Sequence, residues 1–135
     1  MTHNLFAYGT LQLPRILRAV TALELRGESA LLPGFRREGV RGTAYPAIVA
    51  DPAAEVQGRL YRDLPRRALA ALDRYEGDEY RREVHTVFVP GSGSALASCY
   101  VLLPQLQRRL NGRAWELATF ELMHLDTYLR RLHRE

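Results

Sequence analysis

The sequence predicts an α+β fold built on a mixed or antiparallel, barrel-like sheet. Three observations carry this reading. Runs rich in β-branched and aromatic residues dominate roughly the first hundred positions, one helical segment interrupts them near residues 64–77, and a helical pattern closes the chain. That order lacks the regular strand–helix alternation of a doubly wound parallel sheet. At 135 residues the chain reads as one domain spanning 1–135, large enough to bury roughly two thirds of its unfolded surface.

Residues 3–8 form the first predicted strand, which breaks at Gly9-Thr10. The following "LQLPRILRAV" reads as a short helix, provided that Pro14 sits in its first turn. "ALELRGESALLPGFRRE" is extended chain, with a bulge and a turn marked by Gly27 and Pro33-Gly34. A short strand at 46–49 is closed by Asp51-Pro52. Beyond it "EVQGRLYRDL" alternates with period two, and Gly58 marks a close approach.

The helix in "DLPRRALAALDRYEG" has Pro65 at its start, Leu69 and Leu72 on one face, and Gly77 as its stop. "YRREVHTVFVP" and "ALASCYVLLP" read as an antiparallel hairpin joined through "GSGS" at 91–94. Trp115, Ala118, Leu122, Leu125, Leu129 and Leu132 recur at helical spacing, which predicts one amphipathic helix over 113–134, packed on the sheet.

Composition narrows the function classes. The net charge is +4, and all 19 basic residues are Arg, but the pairs at 36–37, 66–67, 81–82 and 130–131 lie far apart with acidic neighbours. A nucleic-acid footprint gathers its charge on one face, so no nucleic-acid partner is expected. A single cysteine, Cys99, excludes an intrachain disulfide framework. No apolar run approaches the roughly 18 residues of a spanning helix and no signal-peptide pattern opens the chain, so a cytoplasmic protein without a membrane partner is expected.

Metal chemistry has little support, because His3, His85, His124 and His133 show no ligand spacing. Cys99 falls in a strand, where a buried structural role is ordinary, and no serine stands in a nucleophile elbow. Two features remain. At Tyr8-Gly9-Thr10-Leu11 a glycine follows a buried strand, which frees backbone amides to hold a carboxylate or carbonyl oxygen. At "ALDRYEGDEYRR", Glu76 sits on the last turn of a helix, where the macrodipole disfavours a carboxylate. If that position is also buried, its pKa rises toward the range of a working acid–base group; if it is exposed, Arg74, Arg81 or Arg82 balances it.

Six stretches taken together, "LFAYGTLQ", "LPGF", "YPAIV", "VQGRLYRDL", "LDRYEGDEYRR" and "ASCYV", resemble the gamma-glutamylcyclotransferase-like family in its AIG2-like branch, over roughly residues 4–102. The resemblance implies a small mixed β-barrel with flanking helices and a cavity at the end of the first strand. It also implies an amide-cyclising transferase or lyase that closes a γ-glutamyl amine or amino acid to 5-oxoproline, with no cofactor. Glu76 then corresponds to the catalytic acid/base, and the turn Tyr8, Gly9, Thr10 and Leu11 to the γ-glutamyl-binding backbone. Tyr80 and Tyr100 match aromatic positions of the family pattern as substrate contacts. The terminal helix lies beyond these motifs and caps the barrel, covers the cavity or makes a dimer contact, so the chain is read as a monomer or homodimer. The competing reading is a non-catalytic small-molecule-binding module on the same barrel.

Overall fold

The computed structural model describes residues 2–134. Five strands close into a mixed barrel: β1 (Thr2–Ala7), β2 (Glu28–Gly39), β3 (Pro46–Pro65), β4 (Tyr80–Val89) and β5 (Gly93–Leu102). Their order around the barrel is β1-β3-β2-β4-β5. Every pairing is antiparallel except that of β1 with β5, whose parallel contact at Leu5 and Ser98 closes the ring. Helix α1 (Pro14–Thr21) follows β1 through a 3-10 turn at Thr10–Gln12, and α2 (Arg66–Glu76) links β3 to β4.

Alternation along the strands separates the two larger core clusters, and a smaller third gathers Val40, Ala47, Val49, Leu102 and Leu110. Phe6, Ile48, Val56, Leu60, Val87 and Cys99 meet in a cluster built from strand residues and Tyr8 just beyond β1, which is the barrel interior. Leu5 and Ala7, on the opposite face of β1, pack instead against Ile16 and Leu17 of α1 and Leu69 and Leu72 of α2. Cys99 is fully buried in the first cluster and desolvation pushes its thiol up to about 12, which suits the structural role expected of it.

The two strands expected at 46–49 and around 56–64 are one continuous strand, β3, of 20 residues. Asp51-Pro52 does not end it. Pairing with β2 runs from Phe35 opposite Ala50 to Pro33 opposite Glu55, so residues 51–54 face Gly34 alone and are absorbed as a bulge. The expected turn at Pro33-Gly34 is the other half of that irregularity, with Gly34 at φ +85°. Local breaker residues here mark a slip in register, because the ladder resumes on both sides.

The single helix expected over 113–134 is two helices, α3 (Leu117–Met123) and α4 (Leu125–Arg134), and His124 between them leaves the helical region at φ −128°, ψ −16°. Phe120 and Leu125 are both buried, whereas Ala118 is exposed and Leu122 is 86% exposed. Residues five apart point about 140° away from each other on a continuous helix, so the break at His124 is what lets Phe120 and Leu125 enter the same core. Trp115 precedes α3 and donates its Nε1 hydrogen to the Ala44 carbonyl at 2.9 Å. Among the described residues no helix is long and apolar enough to cross a membrane.

Gly58 has the close approach that its place in a strand suggested. A Cβ there would stand 2.3 Å from the Ala7 carbonyl oxygen and 2.7 Å from Phe6 Cζ. Gly58→Ala is therefore expected to push β1 and β3 apart and to lower stability by at least about 1–3 kcal/mol. Thermal or denaturant unfolding of the variant measures this; an unchanged midpoint would contradict it.

Candidate active site

β1 ends where the barrel rim ends, and the chain turns there into the 3-10 turn at Thr10–Gln12. The carbonyls of this turn are all engaged. Arg37 donates to the Tyr8 carbonyl at 2.7 Å, and the Gln12 side chain donates to the same oxygen at 2.9 Å and to Gly9 at 3.3 Å. The Tyr61 hydroxyl lies 3.0 Å from the carbonyls of both Leu11 and Gln12, and the Thr10 carbonyl accepts the Leu13 amide at 3.1 Å. With the carbonyls held, the peptide planes are held. The amides of Thr10 and Leu11 stand ahead of the first bond that closes the turn, Gln12 N to Gly9 O at 3.1 Å, so they belong to the donors that a helical start leaves unpaired.

Gly9 is required by the space around it. Its φ is negative, at −122°, but a Cβ would come within 2.9 Å of Pro46 Cγ. Pro46, at the start of β3, and Gly9 therefore form one wall.

Helix α2 brings Glu76 to the same place. Its buried stripe runs through Leu69 and Leu72, and positions three and four beyond Leu72 are Tyr75 and Glu76, which continue that face beyond the end of the barrel. Gly77, at φ +73°, then stops the helix. Of the three arginines that would balance an exposed Glu76, two are committed elsewhere, Arg82 to Asp73 at 2.9 Å and Arg81 to Glu83 at 2.7 Å, and Arg74 forms no ion pair with it. Among the described residues no hydrogen bond or ion pair reaches the Glu76 carboxylate. Desolvation pushes its pKa up from 4.5 to about 8, so it exchanges a proton close to neutral pH.

A cavity of about 270 Å³ joins these parts. It is lined by every residue proposed from sequence: Tyr8, Gly9, Thr10, Leu11, Glu76, Tyr80 and Tyr100. Six of the seven tyrosines face it, and Glu79 is its second carboxylate. Three hydroxyls are tied to fixed acceptors. Tyr8 donates to the Tyr100 carbonyl at 2.6 Å, Tyr80 to the Pro46 carbonyl at 3.1 Å, and Tyr100 to Asp73 Oδ1 at 2.7 Å. Tyr80 and Tyr100 thus contribute ring faces to the cavity, with their hydroxyl hydrogens spent on the protein.

The sequence reading missed Tyr45, Tyr75 and Tyr128. Tyr75 had a readable signal, since it follows Leu72 by three on the buried face of α2. Tyr128 had none of that kind: it sits between Leu125 and Leu129 on α4, and its hydroxyl meets that of Tyr75 across 53 residues of chain. Trp115 serves the site indirectly, with the Arg37 guanidinium 5.6 Å above its ring.

Residues 5–128 match the family model described as gamma-glutamyl cyclotransferase, AIG2-like. The chain belongs to this family. Among curated relatives from Arabidopsis thaliana, AIG2-like protein A is 38% identical over 128 residues, covering 94% of this chain and 77% of that protein. AIG2-like protein B is 30% identical, covering 94% and 74%. A solution structure of an Arabidopsis thaliana protein superposes with a TM-score of 0.75 at 27% identity, over 96% of this chain and 87% of that one. A solved gamma-glutamyl cyclotransferase has a TM-score of 0.68 at 17% identity, over 98% and 87%, and shares the fold. Four of the six sequence motifs that carry the family resemblance, those around Tyr8, Tyr45, Glu76 and Tyr100, meet in one cavity.

Glu76 binds its proton more tightly folded (about 8) than unfolded (ordinarily 4.5), so the native state holds more protons than the unfolded chain between these values. Stability must then fall as pH rises through that interval. Glu76→Gln removes the titration. The variant is expected to melt progressively higher than wild type between pH 5 and pH 8, and a constant difference in melting temperature across this range would contradict the raised pKa.

Proposed function

We propose that this chain is a γ-glutamyl cyclotransferase acting on a γ-glutamyl amine or amino acid. The α-amine of the γ-glutamyl group attacks its own side-chain carbonyl carbon. The new C–N bond closes a five-membered lactam, the bond to the original amide nitrogen breaks, and the products are 5-oxoproline and a free amine. No water is consumed. Glu76 takes the proton that the attacking ammonium must lose and returns it to the leaving nitrogen.

The observation that carries this reading is Glu76 itself: a carboxyl with no ionic partner, desolvated to a pKa of about 8, in the same cavity as the turn Tyr8–Leu11. A structural glutamate would gain nothing from that placement, whereas a group that accepts and returns one proton gains a pKa near the working pH. The turn amides of Thr10 and Leu11 are donors whose orientation is set before any ligand arrives, which is the requirement for stabilising a developing oxyanion. At about 270 Å³ the cavity is at the small end of ligand sites, which suits a glutamyl unit with its leaving group directed outward.

Incubation with a panel of γ-glutamyl amines and γ-glutamyl amino acids is expected to release 5-oxoproline, read by chromatography. Glu76→Gln is expected to lower kcat by about 10²- to 10⁴-fold, with an unchanged circular dichroism spectrum. Saturable binding of these compounds without product from the wild type would replace catalysis with the binding-module reading.

The pH profile is a separate check. With Glu76 acting as base in the free enzyme, kcat/KM should rise about tenfold per pH unit on the acid side and bend near pH 8. A bend near pH 4.5 would mean that another group carries the proton.

A further inference from the structure

The described lining of the cavity contains no Lys, Arg or His, yet a γ-glutamyl ligand brings an α-carboxylate into it. Burying a carboxylate without donors is costly, so neutral hydrogen-bond donors must meet it. Counting the hydroxyl hydrogens leaves two, one on Tyr45, whose hydroxyl no described residue orients, and one on an ordered chain of three hydroxyls. Those of Tyr8, Tyr80 and Tyr100 are spent on protein acceptors, and the Tyr45 hydroxyl makes no hydrogen bond to the described residues. The other three hydroxyls form a chain: Thr10 Oγ1 lies 2.8 Å from Tyr75 Oη, and Tyr75 Oη bonds to Tyr128 Oη. Three hydroxyls carry three hydrogens, and two internal bonds use two of them, so one remains for an acceptor outside the chain.

The spare hydrogen belongs at the Tyr128 end. All three residues line the cavity, and Tyr75 occupies the middle position; of the two ends, Thr10 is 5% exposed, whereas Tyr128 is half-buried. Its ring is set edge-on to Phe120 at 5.4 Å and to Tyr75 at 6.5 Å, which fixes where the hydroxyl lies. Polarisation along the chain strengthens the terminal donor. The chain also begins at the residue whose own amide is unpaired, and its middle member adjoins Glu76, so a carboxylate and an ammonium on one carbon can each find their partner.

We propose that the Thr10–Tyr75–Tyr128 hydroxyl chain donates its one spare hydrogen, from Tyr128, to the α-carboxylate of the γ-glutamyl group, making the C-terminal helix α4 part of the substrate site. The inference rests on the cyclotransferase reading for the identity of the ligand. It assigns Tyr128 a binding role and Tyr75 and Thr10 positioning roles that orient the donor.

Binding of the lactam product tests this without turnover. Isothermal titration calorimetry of the wild type, Tyr75→Phe and Tyr128→Phe with 5-oxoproline is compared with 2-pyrrolidinone, which has the same ring without the carboxylate. Tyr128→Phe keeps the ring and its packing, and is expected to weaken 5-oxoproline binding about tenfold or more, the worth of one hydrogen bond to a charged group, while leaving 2-pyrrolidinone unchanged. Tyr75→Phe should cost less, because Tyr128 keeps its hydrogen and loses only its orientation. Equal 5-oxoproline affinity in wild type and Tyr128→Phe overturns the inference, as does an equal loss for both ligands, which would report packing alone. A wild type that binds 5-oxoproline but turns over no γ-glutamyl compound removes the catalytic reading only, and the variant comparison still decides the role of Tyr128.

Discussion

The closure of the barrel by β1 is the constraint on which the rest depends. β1 has β3 on one side and β5 on the other, and the ring closes only because Gly58 lets the Ala7 carbonyl and the Phe6 ring lie where a side chain would otherwise stand. A strand paired on both sides has its backbone groups committed along its length. Its end at the rim is therefore the first place where amides come free, and the turn at Thr10–Gln12 is built there. Arg37, Gln12 and Tyr61 hold the carbonyls of that turn, so the free amides keep one direction.

The electrostatics of the cavity follow from what surrounds Glu76. In water a carboxylate at a helix C-terminus costs little, and a neighbouring arginine restores the balance. Here Arg81 and Arg82 bind Glu83 and Asp73, and Asp73 in turn takes the Tyr100 hydroxyl. Glu76 is left facing tyrosine rings and backbone, where its charged form is poorly solvated. The fold thus holds a destabilising group at one point and compensates through the buried clusters around it. That arrangement is expected of a site that must move a proton near neutral pH.

A cavity walled by tyrosines differs from one walled by charged donors. Each hydroxyl carries one hydrogen, and most of these are spent on fixing the rings, so the space offers apolar faces with very few free donors. Such a wall holds a ligand by shape and admits a carboxylate at few positions. Helix α4 takes part in this wall because its break from α3 at His124 turns Leu125 and Leu129 into the core, and Tyr128 comes to the cavity with them.

How much of this was legible in the sequence depended on the range of the interactions. The helix ending at Glu76, the hairpin after Tyr80, Pro14 at a helix start and Gly58 as a close approach were readable because each rests on propensity or spacing within a few residues. The bulge at 51–54 and the break at His124 were not: a breaker residue looks the same whether the ladder stops or slips, and an apolar stripe does not show where a helix must re-phase. The sequence by itself determined the strand and helix order, the turn at Tyr8–Leu11 and the motif that places Glu76 on a helix end. Only the tertiary structure decided that Arg81 and Arg82 leave Glu76 unpaired, that Pro46 closes on Gly9, and that Tyr128 joins Tyr75, because burial and partner choice are set by residues distant in the chain.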